Sequence, residues 1–100
     1  MDRIWLKSYP RDVPADIDWH RYSSLVQLIE ESFDKFRARP AYSFMGREIS
    51  FGDVDRDSGA LAAWLQSTGL QRGDRVAIMM PNVPQYPVAV AAVLRAGLVV

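Results

Sequence analysis

The sequence of 100 residues has no cysteine and a single histidine, His20. Without thiols there is no disulfide staple, no thiolate nucleophile and no Cys-rich zinc site. One imidazole excludes a His-pair metal site or a metalloprotease helix built from this chain alone. An excess of charge of either sign is also missing. Twelve Lys plus Arg balance twelve Asp plus Glu, so no global field draws the chain toward nucleic acid or an anionic bilayer. The opening MDRIWLKSYPRD carries no apolar core of the length an export signal needs. The longest apolar run, Val88 to Val100, is broken by Arg95 and Gly97 and falls short of the about 20 residues of a membrane span. It is expected to be a buried core element of a soluble domain, in keeping with 49% hydrophobic and 24% charged residues.

Nucleotide and hydrolase fingerprints are absent too. There is no GxxxxGK[ST] phosphate loop, no GxGxxG dinucleotide turn and no GxSxG elbow.

What is present divides at about residue 22. Residues 1–22 hold Pro10, Pro14, two tryptophans and scattered charges with no sustained period, and are expected to form an extended arm. Ile4, Trp5, Tyr9, Val13, Ile17 and Trp19 are too many apolar residues for a free tail. The arm should therefore lie against a surface, whether of its own domain, of a longer protein or of a second copy.

Residues 23–100 are expected to form an incomplete α/β unit. Ser23 or Ser24 offers an N-cap with Gln27 in capping-box position, and Leu25, Leu28, Ile29, Phe33 and Phe36 make one apolar stripe. Pro40 ends that helix by excluding helical geometry at Arg39. Ala41–Phe44 and Glu48–Phe51 read as a β-hairpin around Met45-Gly46-Arg47. Ser50 then caps a helix whose buried face is Val54, Ser58, Leu61, Ala62, Leu65 and Thr68, with Gly69 just past its end. Gln71 to Asp74 is a turn into Arg75–Met80, whose unbroken apolarity predicts a parallel strand covered on both faces. A helix beginning near Val83 to Tyr86, with Pro87 in its first turn, runs to Gly97, and Leu98-Val99-Val100 opens the next strand. That is one βαβ unit, which stops at Val100 before its second strand reaches normal length.

Candidate functional groups are few. His20, beside a helix N-terminus, is either a tuned base or, the favoured reading, a packing histidine. Asp53, Asp55 and Asp57 are oxygen ligands of the kind Mg2+ takes, but alternate helical positions point to different sides, which favours complementing the helix dipole. Asn82 follows the predicted parallel strand, where α/β proteins place ligand contacts, and is also a good cap residue. Arg95 reads as a snorkelling side chain or the partner of an acid, and Arg37 and Arg39 as complements of a helix C-terminus.

The string Ile49-Ser50-Phe51-Gly52-Asp53-Val54, with Ser58, Ala62 and Leu65, then GDRVAIMMPN and AVLRAG, resembles the N-terminal region of the acyl-adenylate-forming enzymes. The arm SYPRDVPADID, SLVQLIEESFDKF and MMPNVPQYPVAVAAVLRAG are similar to bacterial long-chain fatty acid–CoA ligases within that superfamily. Gly52-Asp53-Val54 departs from the family pattern, which often has a longer residue followed by Glu and Leu. The resemblance implies the N-terminal part of a large α/β domain. It also implies a parent enzyme that joins a fatty acid to ATP with Mg2+ as an acyl-adenylate, releasing pyrophosphate, and passes the acyl group to the thiol of coenzyme A.

The family's phosphate loop, ribose-binding Asp and C-terminal Lys have no counterpart in residues 1–100. No catalytic, cofactor-binding or metal residue is carried over, and the chain alone is expected to be inactive and to bind none of these cofactors. The resemblance further implies a cytoplasmic protein, peripheral contact with the inner face of the membrane, and a homodimer through the N-terminal region. Alternatives are a self-association module, an adenylate-forming enzyme for another carboxylic acid, and an unrelated small α/β binding protein with a pocket at Asn82.

Overall fold

Caps and turns set the architecture. In the computed structural model, which describes residues 2–100, the elements are a 3-10 helix (Ile4–Ser8), α1 (Leu25–Phe36), β1 (Pro40–Phe44), β2 (Arg47–Ser50), α2 (Phe51–Ser67) and α3 (Gln85–Arg95). Ser24 starts α1 by accepting from the Gln27 N–H at 3.1 Å, while the Gln27 Oε1 accepts from the Ser23 N–H at 2.8 Å. At α2 the capping box is complete: Ser50 Oγ accepts from the Asp53 N–H and the Asp53 carboxylate accepts from the Ser50 N–H.

β1 and β2 pair antiparallel through the two-residue turn Met45-Gly46, both at positive φ, the twist that a tight hairpin requires. Two boundaries differ from the sequence reading. Arg47 lies in β2 rather than in the turn. Phe51 opens α2 rather than closing β2, because Ser50 is at once the last strand residue and the helix cap.

The parallel βαβ unit is present in outline only. Around α3, Val76 N–H donates to Val99 O at 2.8 Å and Val99 N–H to Asp74 O at 2.9 Å, a single parallel bridge. Among the described residues, Ala77 to Met80 make no backbone hydrogen bond, so the expected strand Arg75–Met80 is not formed. Nor is it covered on both faces. Val76 and Ile78 pack on the core, whereas Met79 is 98% exposed. Continuous apolarity signals burial on both faces only when neighbouring strands and a second layer exist, and none lies within these residues.

Two clusters share the core. Ala62, Leu65, Ala92, Val93 and Leu98 join α2 to α3, and Phe33, Val54 and Ala91 join α1 to both. Of the stripe read on α1 only Phe33 is buried; Leu25 and Leu28 are exposed. On α2, Val54, Ser58, Ala62 and Leu65 are buried as expected, Leu61 partly so, and Thr68 is exposed.

The arm is not one extended run, since it contains the 3-10 turn and Arg3 reaches Asp16 at 2.7 Å. Ile17 and Trp19 are 87% and 77% exposed, so the surface expected beneath them is not supplied by the described residues. The total accessible surface is 8063 Å². A folded monomer of 11.3 kDa exposes about 5,700 Å², so roughly 2,300 Å² is surplus.

Candidate functional site

The candidate residues do not converge. The His20 ring lies against Trp19 with centroids 3.4 Å apart in the exposed arm. No serine nucleophile is hydrogen-bonded to it among the described residues.

The three aspartates separate as their helical spacing requires. Asp53 closes the capping box, and Asp57 accepts from Arg56 Nε at 2.9 Å. Asp55 turns toward α3 and the end of α1. Among the described residues no group of three His, Cys, Asp or Glu side chains is arranged to hold a metal ion. Asp53 stands in the first turn of α2, where its charge complements the helix dipole, whereas Asp55 has a role that spacing alone does not show. The Ser50 backbone N–H, then its hydroxyl, then Arg56 hold the Asp53 carboxyl below its ordinary pKa. Donating to the Asp34 and Asp55 carboxylates raises the pKa of the Arg37 guanidinium, as donating to Asp57 and Asp53 raises that of Arg56.

Arg95 is the polar centre of the three-helix packing. Its Nη1 lies 3.0 Å from Asp55 Oδ1 and donates to Asp55 O and to Ser58 Oγ, both at 2.9 Å. Its Nε meets Glu30 Oε1 of α1 at 3.2 Å, and the guanidinium sits 5.7 Å above the Phe33 ring. Ser58, 0% exposed, would be a buried hydroxyl without this partner and the Asp55 carbonyl it donates to. Arg37 closes the set by donating to Asp34 and Asp55. The expectation that Arg95 pairs with an acid holds, and the partners come from two other helices.

Gly52, where the sequence departs from the usual pattern, has a packing reason. Its N–H donates to Arg37 O at 2.9 Å, and a Cβ there would stand 3.1 Å from that oxygen. The missing side chain lets the end of α1 and the start of α2 touch.

Asn82 lies on the wall of an open apolar groove of about 610 Å³ between α1, the hairpin, α2 and the start of α3. Leu28, Phe33, Tyr42, Phe44 and Tyr86 supply its bulk, and no charged side chain lines it. It offers an apolar bed with the Asn82 amide, the Ser32 and Ser43 hydroxyls and two tyrosines, and no His, Cys, acid or cation. Sequence reasoning named a pocket at Asn82 only as the mark of an unrelated binding protein; Leu28 of the α1 stripe, left exposed, is the further signal of the groove's α1 wall.

The AMP-binding enzyme family matches residues 29–100. The chain belongs to that family. Over its whole length it is 50% identical to a long-chain-fatty-acid–CoA ligase of Yersinia pestis and 48% identical to one of Salmonella typhimurium. A shorter stretch, 51% of this chain and 8% of the relative, is 41% identical to an acetyl-coenzyme A synthetase of Methanothrix soehngenii. The chain spans 18% of the length of each of the two ligases it matches.

Among the described residues, the groove and the helix N-termini do not form a cradle for a nucleoside triphosphate. The groove has no Lys or Arg. The N-termini of α1 and α2 are closed by their own side chains. At α3 the Tyr86 N–H is bonded to Val83 O at 2.9 Å and Pro87 has no N–H to give. No step of adenylation is assigned to any residue of this chain.

Proposed function

We propose that this chain is the N-terminal scaffold of a long-chain fatty acid–CoA ligase. Its whole protein activates a fatty acid with ATP and Mg2+ to an acyl-adenylate and then transfers the acyl group to coenzyme A. The observation that carries this reading is identity of 48–50% across the full chain to ligases of that name, about one-fifth of whose length it spans. The role within the enzyme is structural. Residues 2–100 supply three helices and a hairpin locked by Arg95 and Asp55, and the phosphate and CoA chemistry belongs to other parts of the protein.

A cytoplasmic site accompanies this proposal, with peripheral contact at the inner face of the membrane, where the substrate resides. Among the described residues no helix is long and apolar enough to cross a membrane. Pairing of two copies through residues 1–22 is part of the same reading, and the exposed Ile17 and Trp19 support it.

A second reading, a ligase for another carboxylic acid, draws on the shorter match to the acetyl-coenzyme A synthetase. The test is acyl-CoA formation by the longer protein that carries this sequence, assayed with a long-chain fatty acid and with acetate. Turnover of the long-chain acid and not of acetate is expected. Preference for acetate would transfer the assignment to the second reading, and no turnover of either acid would remove both.

A further inference from the structure

The groove beside Asn82 has properties that a ligand site lacks. Drug-sized ligands in binding pockets lose about 70–90% of their surface to the protein. Here the rim residues Leu28, Phe44, Tyr86 and Tyr42 are themselves 36%, 39%, 39% and 46% exposed, so the groove is an open trough rather than an enclosed cavity. One of its polar side chains is already spent within the fold. The Ser32 hydroxyl, on the α1 wall, donates to Leu28 O at 2.8 Å within its own helix. With no charged side chain in the lining, the occupant must be uncharged where it enters.

Size points the same way. The surplus surface of roughly 2,300 Å², shared by the groove, the arm and the open segment at Met79, is well above the about 800 Å² that one partner contributes to an ordinary protein–protein interface. A covering body of domain size is required, and the ligases this chain matches are more than five times its length.

We infer that the groove is an internal seam of the enzyme, filled by an uncharged apolar segment of the same polypeptide from beyond Val100, and is not a substrate pocket. This inference rests on the ligase reading above. It assigns Leu28, Tyr42, Phe44 and Tyr86 to the interior of the whole protein, and Asn82 to a polar contact on the seam's wall.

Hydroxyl-radical footprinting of the longer natural protein tests it, with side-chain oxidation rates at Tyr42, Phe44 and Tyr86 read by peptide mass spectrometry. Relative to the same protein unfolded in urea, these rings should oxidise about fivefold more slowly, in proportion to the area covered. The protection should be the same at all protein concentrations and with or without fatty acid. Slowing of only about twofold, which the 39–46% exposure of these residues in this chain alone already gives, overturns the seam. So does protection that appears only with fatty acid, which would make the groove a ligand site, or only at concentrations where the protein pairs, which would make the occupant a second copy. Acyl-CoA formation, measured on the same sample, reports separately on the ligase reading. Protected rings in a protein without that activity would leave the seam standing, and labelled rings in an active ligase would remove the seam alone.

Discussion

The two sides of α3 show what the same kind of apolar sequence does with and without a partner. Toward α2 it presents Ala92 and Val93 to Ala62, Leu65 and Leu98, and all five are buried. Toward α1 and the hairpin it presents Tyr86, Pro87 and Val90 to a groove whose rim is open. Small side chains let α2 and α3 approach closely enough to exclude water with few atoms. Beyond the buried contact of Phe33 with Ala91, the bulkier residues of α1 and β1 do not close on α3 without a further layer. The difference is one of missing neighbours rather than of composition, and it makes one face a finished core and the other an interface.

The largest test of that contrast is a charge placed on each side. Ala92 is 0% exposed, and Ala92→Asp should cost about 4 kcal/mol or more and abolish cooperative unfolding in urea. Met79→Asp, at a fully open position, should stay within about 0.5 kcal/mol of the parent in this chain. Comparable losses from both would mean that the 75–80 segment is covered after all.

Arg95→Ala comes next. It leaves Ser58 Oγ and Glu30 without a cation and Asp55 dependent on Arg37 alone. A loss of about 2–3 kcal/mol is expected, below the full value for a buried pair because the side chain keeps some solvent contact. If Arg95→Ala melts with the parent, the three helices are held by apolar packing alone.

The smallest effect is at the start of α2. Ser50→Ala removes the cap and should cost about 1 kcal/mol. Because Asp53 is held below its ordinary pKa when folded, its contribution is complete above the unfolded carboxylate value and is lost as pH falls through the depressed folded one. Acid titration of stability should therefore be shallower in Ser50→Ala than in the parent below about pH 4. Parallel acid slopes would show that the box does not set the carboxyl.

The features legible in sequence are those decided by neighbours along the chain. Ser24 with Gln27, Ser50, Gly69 and Gly97 mark helix ends through hydrogen bonds and backbone angles spanning a few residues, and the structure places helix ends there. The helix stripes were legible as patterns, but not how much of each would find a partner, as Leu25 shows. Arg75–Met80 misled because a parallel strand takes its hydrogen bonds from segments distant in sequence. Asp55 was assigned to a dipole because Arg95, its partner, is 40 residues away. Sequence pointed to Asn82 but not to the groove's other walls for the same reason, since they come from α1, β1, α2 and the start of α3.

The most direct measurement is fatty-acid-dependent ATP–pyrophosphate exchange, run side by side on the purified 100-residue chain and on the longer protein that carries it. If this chain is scaffold, exchange requires the longer protein and is undetectable in the shorter. Exchange by the 100-residue chain, dependent on both ATP and fatty acid, would contradict that assignment and place adenylation chemistry among residues that here show only packing.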